Sequence, residues 1–411
     1  MTNALPLPCE IAPSSLAPSS PLAVSRWPCH EEDEIAAVAA VLRSGRVNSL
    51  HHGELTSAFE TAFAEFCGVS QAIAVANGTL ALELGLRALE IGPGDEVILP
   101  ARSFFASASS IIACGARPVF ADVDLQSQTI CPASAARLVT ARTRAILCVH
   151  LAGWPCAMDE LVALCRRHGL KLIEDCAQAH GATFDGRVVG SFGDVAAFSF
   201  CTDKIMSTGG EGGMLVVRDD SDVFERAWSY KDHGKDRRKI TLHASQGVAF
   251  RWLHDSFGSN FRVTEMQAAI GLAQLAKLPR WLEARRRNAA ILSDNLRGVA
   301  SIRLAQPPAH IGHAYYKFYA FADAWRDPIA RQIGARGIAC GSGSCPEIYR
   351  EKAFAHEHFE RLPNAVHLGE TSLMFPVDQT FDEPEMTAIA EAIATAALEA
   401  EKAFVAVGRS S

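Results

Sequence analysis

Between residues 70 and 220 the chain alternates short apolar runs with segments of helical period. The apolar runs lie at 72–76, 97–100, 118–122, 145–150, 171–175, 195–200 and 214–217. Most are apolar almost throughout, as strands covered on both faces must be. Helical patterns fall between them at 79–90, 107–114, 132–139 and 159–167, divided by turns such as Gly92-Pro93-Gly94-Asp95. This rhythm predicts an α/β fold whose large domain holds a mainly parallel, seven-stranded sheet between helices.

Helices are also expected on either side of this region. One, at 31–44, has acids in its first turn and Gly45 after its end; a second, at 55–67, stops at Gly68. Further on, Thr264 caps a helix with Gln267 three residues later, and Pro279 is expected to end it. A helical stretch follows at 281–296. The pattern then changes to a strand at 315–322, a helix at 327–336 and a long alanine-rich helix at 383–405, a smaller C-terminal α+β domain. The expected division is a flexible arm at 1–27, a large domain at 28–270 and a small domain at 271–411.

Composition narrows the class. The formal net charge is -7 over 411 residues, and the densest basic stretch, Lys231 to Lys239, is interrupted by Asp232 and Asp236. It reads as a solvated loop first and a contact for an anionic substrate second, and nucleic acid is not expected as a partner. No apolar run reaches spanning length, so neither a transmembrane helix nor membrane association is expected. The first 27 residues, rich in Pro, Ser and Ala, lack the positive start and apolar core of a signal peptide. Twelve cysteines follow no framework spacing; buried free thiols in a reducing cytoplasm account for them. Cys340 and Cys345 have no second pair at ligand spacing, so no metal site is expected.

The chemistry concentrates at predicted strand ends, where open α/β sheets gather their ligands. Asn77-Gly78-Thr79 opens a helix after the first strand; bare backbone, a hydroxyl and a helix N-terminus suit a phosphate, or make an ordinary turn and cap. Asp175 ends the fifth run, able to hold a pyridine nitrogen protonated or simply to cap a helix. Gln178 is placed to bond a phenolic oxygen, or to face solvent. Ser199 ends the next run, five residues before Lys204. Lys204 is either a surface lysine or one that forms a Schiff base with an aldehyde; its apolar strand and the glycines of 209–213 favour the second reading. That glycine run lacks P-loop spacing and fits tight backbone beside a ligand. Phe104, just past the second run, is a core ring or one that stacks on a flat ligand. A lysine, a carboxylate and small polar residues in these places match what pyridoxal phosphate (PLP) requires.

Three segments, 174–182, 199–213 and Gly258-Ser259-Asn260-Phe261-Arg262-Val263-Thr264-Glu265-Met266-Gln267-Ala268-Ala269, resemble the DegT/StrS-type sugar aminotransferases of PLP fold type I, and the likeness extends from about Trp27 onward. The resemblance implies that Lys204 holds PLP and Asp175 pairs with the ring nitrogen. It puts Gln178 at the phenolic oxygen, Gly78, Thr79 and Ser199 at the phosphate, and Phe104 on the ring face. It also implies that Asn260 reaches the phosphate from a neighbouring subunit, hence a homodimer with composite sites, and that His233 lies near substrate. The activity implied is transamination from glutamate or glutamine to a keto sugar, first among them a nucleotide-linked 4-keto-6-deoxy sugar. The stretch Gly341-Ser342-Gly343-Ser344-Cys345-Pro346-Glu347-Ile348-Tyr349 departs from the family's aromatic, His-containing segment, which leaves open an octulosonate-like acid, a keto-inositol or an aminoshikimate-type ring. A dehydratase on this scaffold replaces the lysine with histidine, and Lys204 argues against it. A regulatory protein retaining the fold is the non-enzymatic alternative.

Overall fold

The computed structural model describes residues 24–242 and 252–408; positions 1–23 of the expected arm lie outside them. Helices α1 (Glu32–Ser44) and α2 (Glu54–Cys67) lead into the alternation read from the sequence. It runs β1 (Gln71–Val75), α3 (Gly78–Ala88), β2 (Glu96–Pro100), α4 (Ala106–Ala113), β3 (Arg117–Ala121), α5 (Pro132–Arg137), β4 (Thr143–Val149), α6 (Met158–His168) and β5 (Lys171–Asp175). A short hairpin, β6 (Thr183–Phe184) and β7 (Arg187–Val188), precedes β8 (Val195–Ser199), β9 (Gly213–Val217), α7 (Ser221–Lys231) and α8 (Arg237–Leu242). Then come α9 (Glu265–Leu296), β10 (Arg303–Leu304), β11 (Ile311–Gly312), β12 (Phe318–Phe321), α10 (Arg326–Ala335), α11 (Pro363–Thr371), β13 (Ser372–Phe375) and α12 (Glu383–Gly408).

The seven predicted strands form one sheet in the order β1-β9-β8-β5-β4-β2-β3. All neighbours are parallel except β9, which runs antiparallel to both β1 and β8. The reason is local: β8 reaches β9 through a loop with no crossover helix, and a parallel partner needs one. Apolar side chains on both faces are buried, one face against α3 and α4, the other against α2, α6 and the start of α9. A second sheet, β10-β12-β13, packs with α10, α12 and the end of α9 around its own core.

Three expectations change. Pro279 does not end its helix; α9 continues to Leu296. The capping box of Thr264 and Gln267 starts it as expected. Burial of Leu278, Trp281 and Leu282 in one core and Leu292 and Leu296 in the next outweighs the hydrogen bond a proline removes. The strand expected at 315–322 is confined to β12, because Arg285 of α9 takes the carbonyls of Tyr315 and Tyr316 and Tyr315 has a φ of 48°. The basic stretch is not a solvated loop throughout. Lys231, Lys235 and Arg262 converge at 3.2, 3.5 and 2.5 Å on Asp232, which is wholly buried. No described helix is long and apolar enough to cross a membrane.

Candidate active site

The parallel strands β5 and β8 end side by side, placing Asp175 and Ser199 at one edge of the sheet. Antiparallel β9 begins at that edge, with Gly213 paired to both Ser199 and Val75. The N-terminus of α3 closes over it. Asn77 caps the helix by accepting from the Leu80 amide at 2.9 Å, so the Gly78 and Thr79 amides, with no intrahelical acceptor, face the strand ends. Packing here leaves no room for side chains. A Cβ on Gly78 would lie 2.6 Å from that of Ser199, and one on Gly213 2.4 Å from the Asn77 carbonyl carbon.

Above this edge lies a cavity of about 880 Å³. Gly78, Thr79, Phe104, Asp175, Gln178, Ser199 and Lys204 all line it, so seven of the nine sequence-predicted residues meet in one place. Asn260 and His233 do not line it. Their segments are joined to one another instead, by a bridge between Asp232 and Asn260 and by the His233 amide, which donates to the Ser259 carbonyl at 2.9 Å.

Asp175 is buried, and its direct partners are neutral. Ser107 Oγ donates to one oxygen at 2.8 Å and the Ala177 amide to the other at 3.1 Å. Burial raises its pKa above the ordinary carboxyl value, against the pull of Ser107, Ala177 and Lys204. A desolvated carboxylate beside open space calls for a cationic ligand atom, which a protonated pyridine nitrogen supplies. The first-turn amides of α3 with Ser199 Oγ offer the complementary donors for a phosphate. The residues present therefore fit PLP. Gln178 is buried rather than solvent-facing. Its Oε1 accepts from the Ala152 amide at 2.7 Å, which leaves its NH2 as the group to donate into the cavity. Phe104 is no core ring; it is 67% exposed at the cavity edge.

Lys204 lies in a turn whose backbone is held on both sides. Its amide donates to the Cys201 carbonyl at 3.0 Å, and its carbonyl accepts from Trp27 Nε1 at 2.8 Å. Trp27 in turn meets Trp281 edge-on at 5.2 Å. The Lys204 ammonium sits 3.5 Å from Asp203 and 4.9 Å from the centroid of the Tyr316 ring. The Tyr316 hydroxyl donates to the second Asp203 oxygen. Burial and then the Asp203 charge raise the Tyr316 pKa far above the phenol range, so it stays a donor.

Next to Asp175, Glu174 anchors the strand end. It accepts from His150 Nε2 at 3.0 Å and from the amides of Gly190, Phe192 and Gly193 at 2.8, 2.8 and 2.7 Å. His150, Glu174 and Cys176 lie close enough to suggest metal ligands. These bonds already occupy the carboxylate, and His150 Nδ1 accepts from the Cys156 amide at 3.0 Å, so the cluster is a hydrogen-bonded node.

A family model described as the DegT/DnrJ/EryC1/StrS aminotransferase family matches residues 28–394. The chain belongs to that family. Its members are PLP-dependent aminotransferases of fold type I, and so is this protein. It is 38% identical to a UDP-N-acetyl-3-dehydro-alpha-D-glucosamine 3-aminotransferase of Acidithiobacillus ferrooxidans, across 83% of this chain and 88% of that one. It is 36% identical to a GDP-perosamine synthase of Caulobacter vibrioides, across 83% and 90%. The crystal structure of an aminotransferase from Psychrobacter cryohalolentis superposes with a TM-score of 0.88 at 45% identity, covering 92% of this chain and 99% of that one.

Sequence reasoning did not find Ser107, Asp203, Tyr316, Lys317 or Tyr319, each within the cavity wall or bonded to it. One signal was present: Lys317 interrupts an otherwise apolar strand pattern.

Proposed function

We propose that this aminotransferase transfers the amino group of glutamate or glutamine to a nucleotide-linked keto sugar, with Lys204 as the reacting lysine. One observation carries the residue roles: Lys204, Asp175 and the open N-terminus of α3 face a single cavity. PLP, when bound, supplies an aldehyde that condenses with amines and a ring that accepts electrons from the substrate carbon. Asp175 holds the proton on the ring nitrogen. Gly78, Thr79 and Ser199 bind the phosphate, Gln178 donates to the phenolic oxygen, and Phe104 covers the ring. Lys204 Nζ would hold the coenzyme and, when free, would serve as the base that takes the proton from the substrate carbon and the acid that gives it back. Asp203 and Tyr316 hold that ammonium in place between transfers.

The sugar assignment rests on relatives named for nucleotide-linked sugars. The homodimer rests on where Asn260 lies: outside its own chain's cavity, on a loop that also carries Phe257, 99% exposed. In this reading Asn260 completes the partner's phosphate site, and His233 stands near the shared entrance.

The test is optical. Purified protein with added PLP is expected to turn yellow and to bleach with glutamate or glutamine, and a screen of keto sugars followed by mass spectrometry identifies the acceptor as a new amine. Protein that stays colourless with PLP, or yellow with every amino donor, overturns the reading. Lys204→Ala is expected to lower turnover on the order of 10³-fold or more, with its circular dichroism unchanged.

A further inference from the structure

The cavity wall carries a second lysine besides Lys204. Lys317 lines it, with its ammonium 5.1 Å from the centroid of the same Tyr316 ring that Lys204 approaches to 4.9 Å. Among the described residues it has no ion pair, unlike Lys204, which has Asp203. Two of the cavity's carboxylates are engaged, Asp203 with Lys204 and Tyr316 and Asp175 with Ser107; the third, Glu211, has the Cys201 thiol 3.8 Å from one oxygen and makes no ion pair with Lys317. Burial and then the Arg285 charge lower the Lys317 pKa, against the pull of Asp378 and Asp203.

A further cation lies near another residue of the cavity lining, Tyr319. Arg102 is completely buried and bonds only neutral groups, Gln128 Oε1 at 3.0 Å, Ser372 Oγ at 2.9 Å and the Ser342 carbonyl at 3.4 Å. It lies 5.7 Å from the centroid of Tyr319, which faces the cavity beside Lys317. A buried guanidinium without an acid costs stability, and a site that receives an anion in each catalytic cycle gives a reason to keep it.

We propose that Lys317 binds the α-carboxylate of the amino donor and so sets the enzyme's preference for amino acids as donors. The proposal rests on the transaminase reading. Geometry favours this anion over the acceptor's diphosphate. The α-carboxylate is attached to the very carbon whose amine meets Lys204, and the two lysines flank one aromatic ring. A diphosphate is separated from the keto carbon by the sugar ring. The α-carboxylate is also the group that glutamate and glutamine share, and Tyr319 presents its hydroxyl on the same wall, already held by the Ser344 amide at 3.0 Å.

The experiment uses the PLP-loaded full chain and its Lys317→Gln and Lys317→Arg variants. Equilibrium binding of 2-methylglutamate, which has the carboxylate but no hydrogen to lose, is read by absorbance. The Gln variant is expected to bind it about 10- to 100-fold more weakly, and the Arg variant to recover most of the loss. In the half-reaction with glutamate the apparent dissociation constant should rise by the same factor, with the limiting rate and the acceptor KM little changed. An unchanged donor constant with a raised acceptor KM would assign the cation to the diphosphate and overturn the proposal. No change in either would make it structural and overturn it equally. Should wild-type protein fail to bleach with any amino donor, the transaminase reading itself falls, before a variant is made.

Discussion

A carboxyl group surrounded by neutral donors is a liability until its ligand arrives, and Asp175 is such a group. Its folded pKa lies above the unfolded value, so its favourable contribution is complete below the ordinary carboxyl range and is lost as pH rises through the folded pKa. Above its folded pKa the ionised, buried carboxylate opposes folding of the PLP-free protein. Asp175→Asn is therefore expected to melt no lower than wild type without PLP at pH 7, and to show a smaller rise in Tm when PLP is added. Differential scanning calorimetry at pH 5 and pH 7, with and without PLP, measures both. At this scale the sequence was readable where a polar residue ends an apolar run, as Asp175 and Ser199 do. It was silent on Ser107, whose role depends on the face that α4 turns toward β5, and on Tyr316, placed by Arg285 of a distant helix.

The seven strands and the helices between them were legible because each is a short run with one dominant period. The direction of β9 was not, since period carries no information about which way a strand runs. Two substitutions probe elements directly. Gly78→Ala inserts a methyl against Ser199 and pushes the α3 N-terminus off the sheet edge. It is expected to cost about 1–3 kcal/mol in urea denaturation and to weaken PLP binding by fluorescence titration. Pro279→Ala restores a backbone donor inside the continuous helix α9. It is expected to stabilise the protein by about 1–3 kcal/mol, partly offset by the unfolded chain's greater freedom. A break in α9 at 279 would instead make the change neutral.

For the molecule as a whole, α9 runs unbroken across the division expected at 270/271, sharing side chains with the sheet's core and with the C-terminal core. The cavity draws its walls from both sides of that division, with Lys204 from before it and Tyr316 and Lys317 from after it. Two chains are needed if Asn260 acts across an interface. Lys204→Ala and Asn260→Ala, each weakly active alone, are then expected to regain activity at one of two sites when mixed and allowed to exchange subunits. Native mass spectrometry confirms the exchange, and no recovery after it rules out the shared site. Trp27, finally, joins the start of the described chain to the backbone of Lys204 through one hydrogen bond and rests against Trp281. An indole so close to Lys204, the proposed carrier of the coenzyme, is a built-in optical gauge: its emission should dim as the absorbing ring loads and shift when the donor is consumed. Trimming the polypeptide past position 27 would remove that gauge and loosen the very turn it reports on.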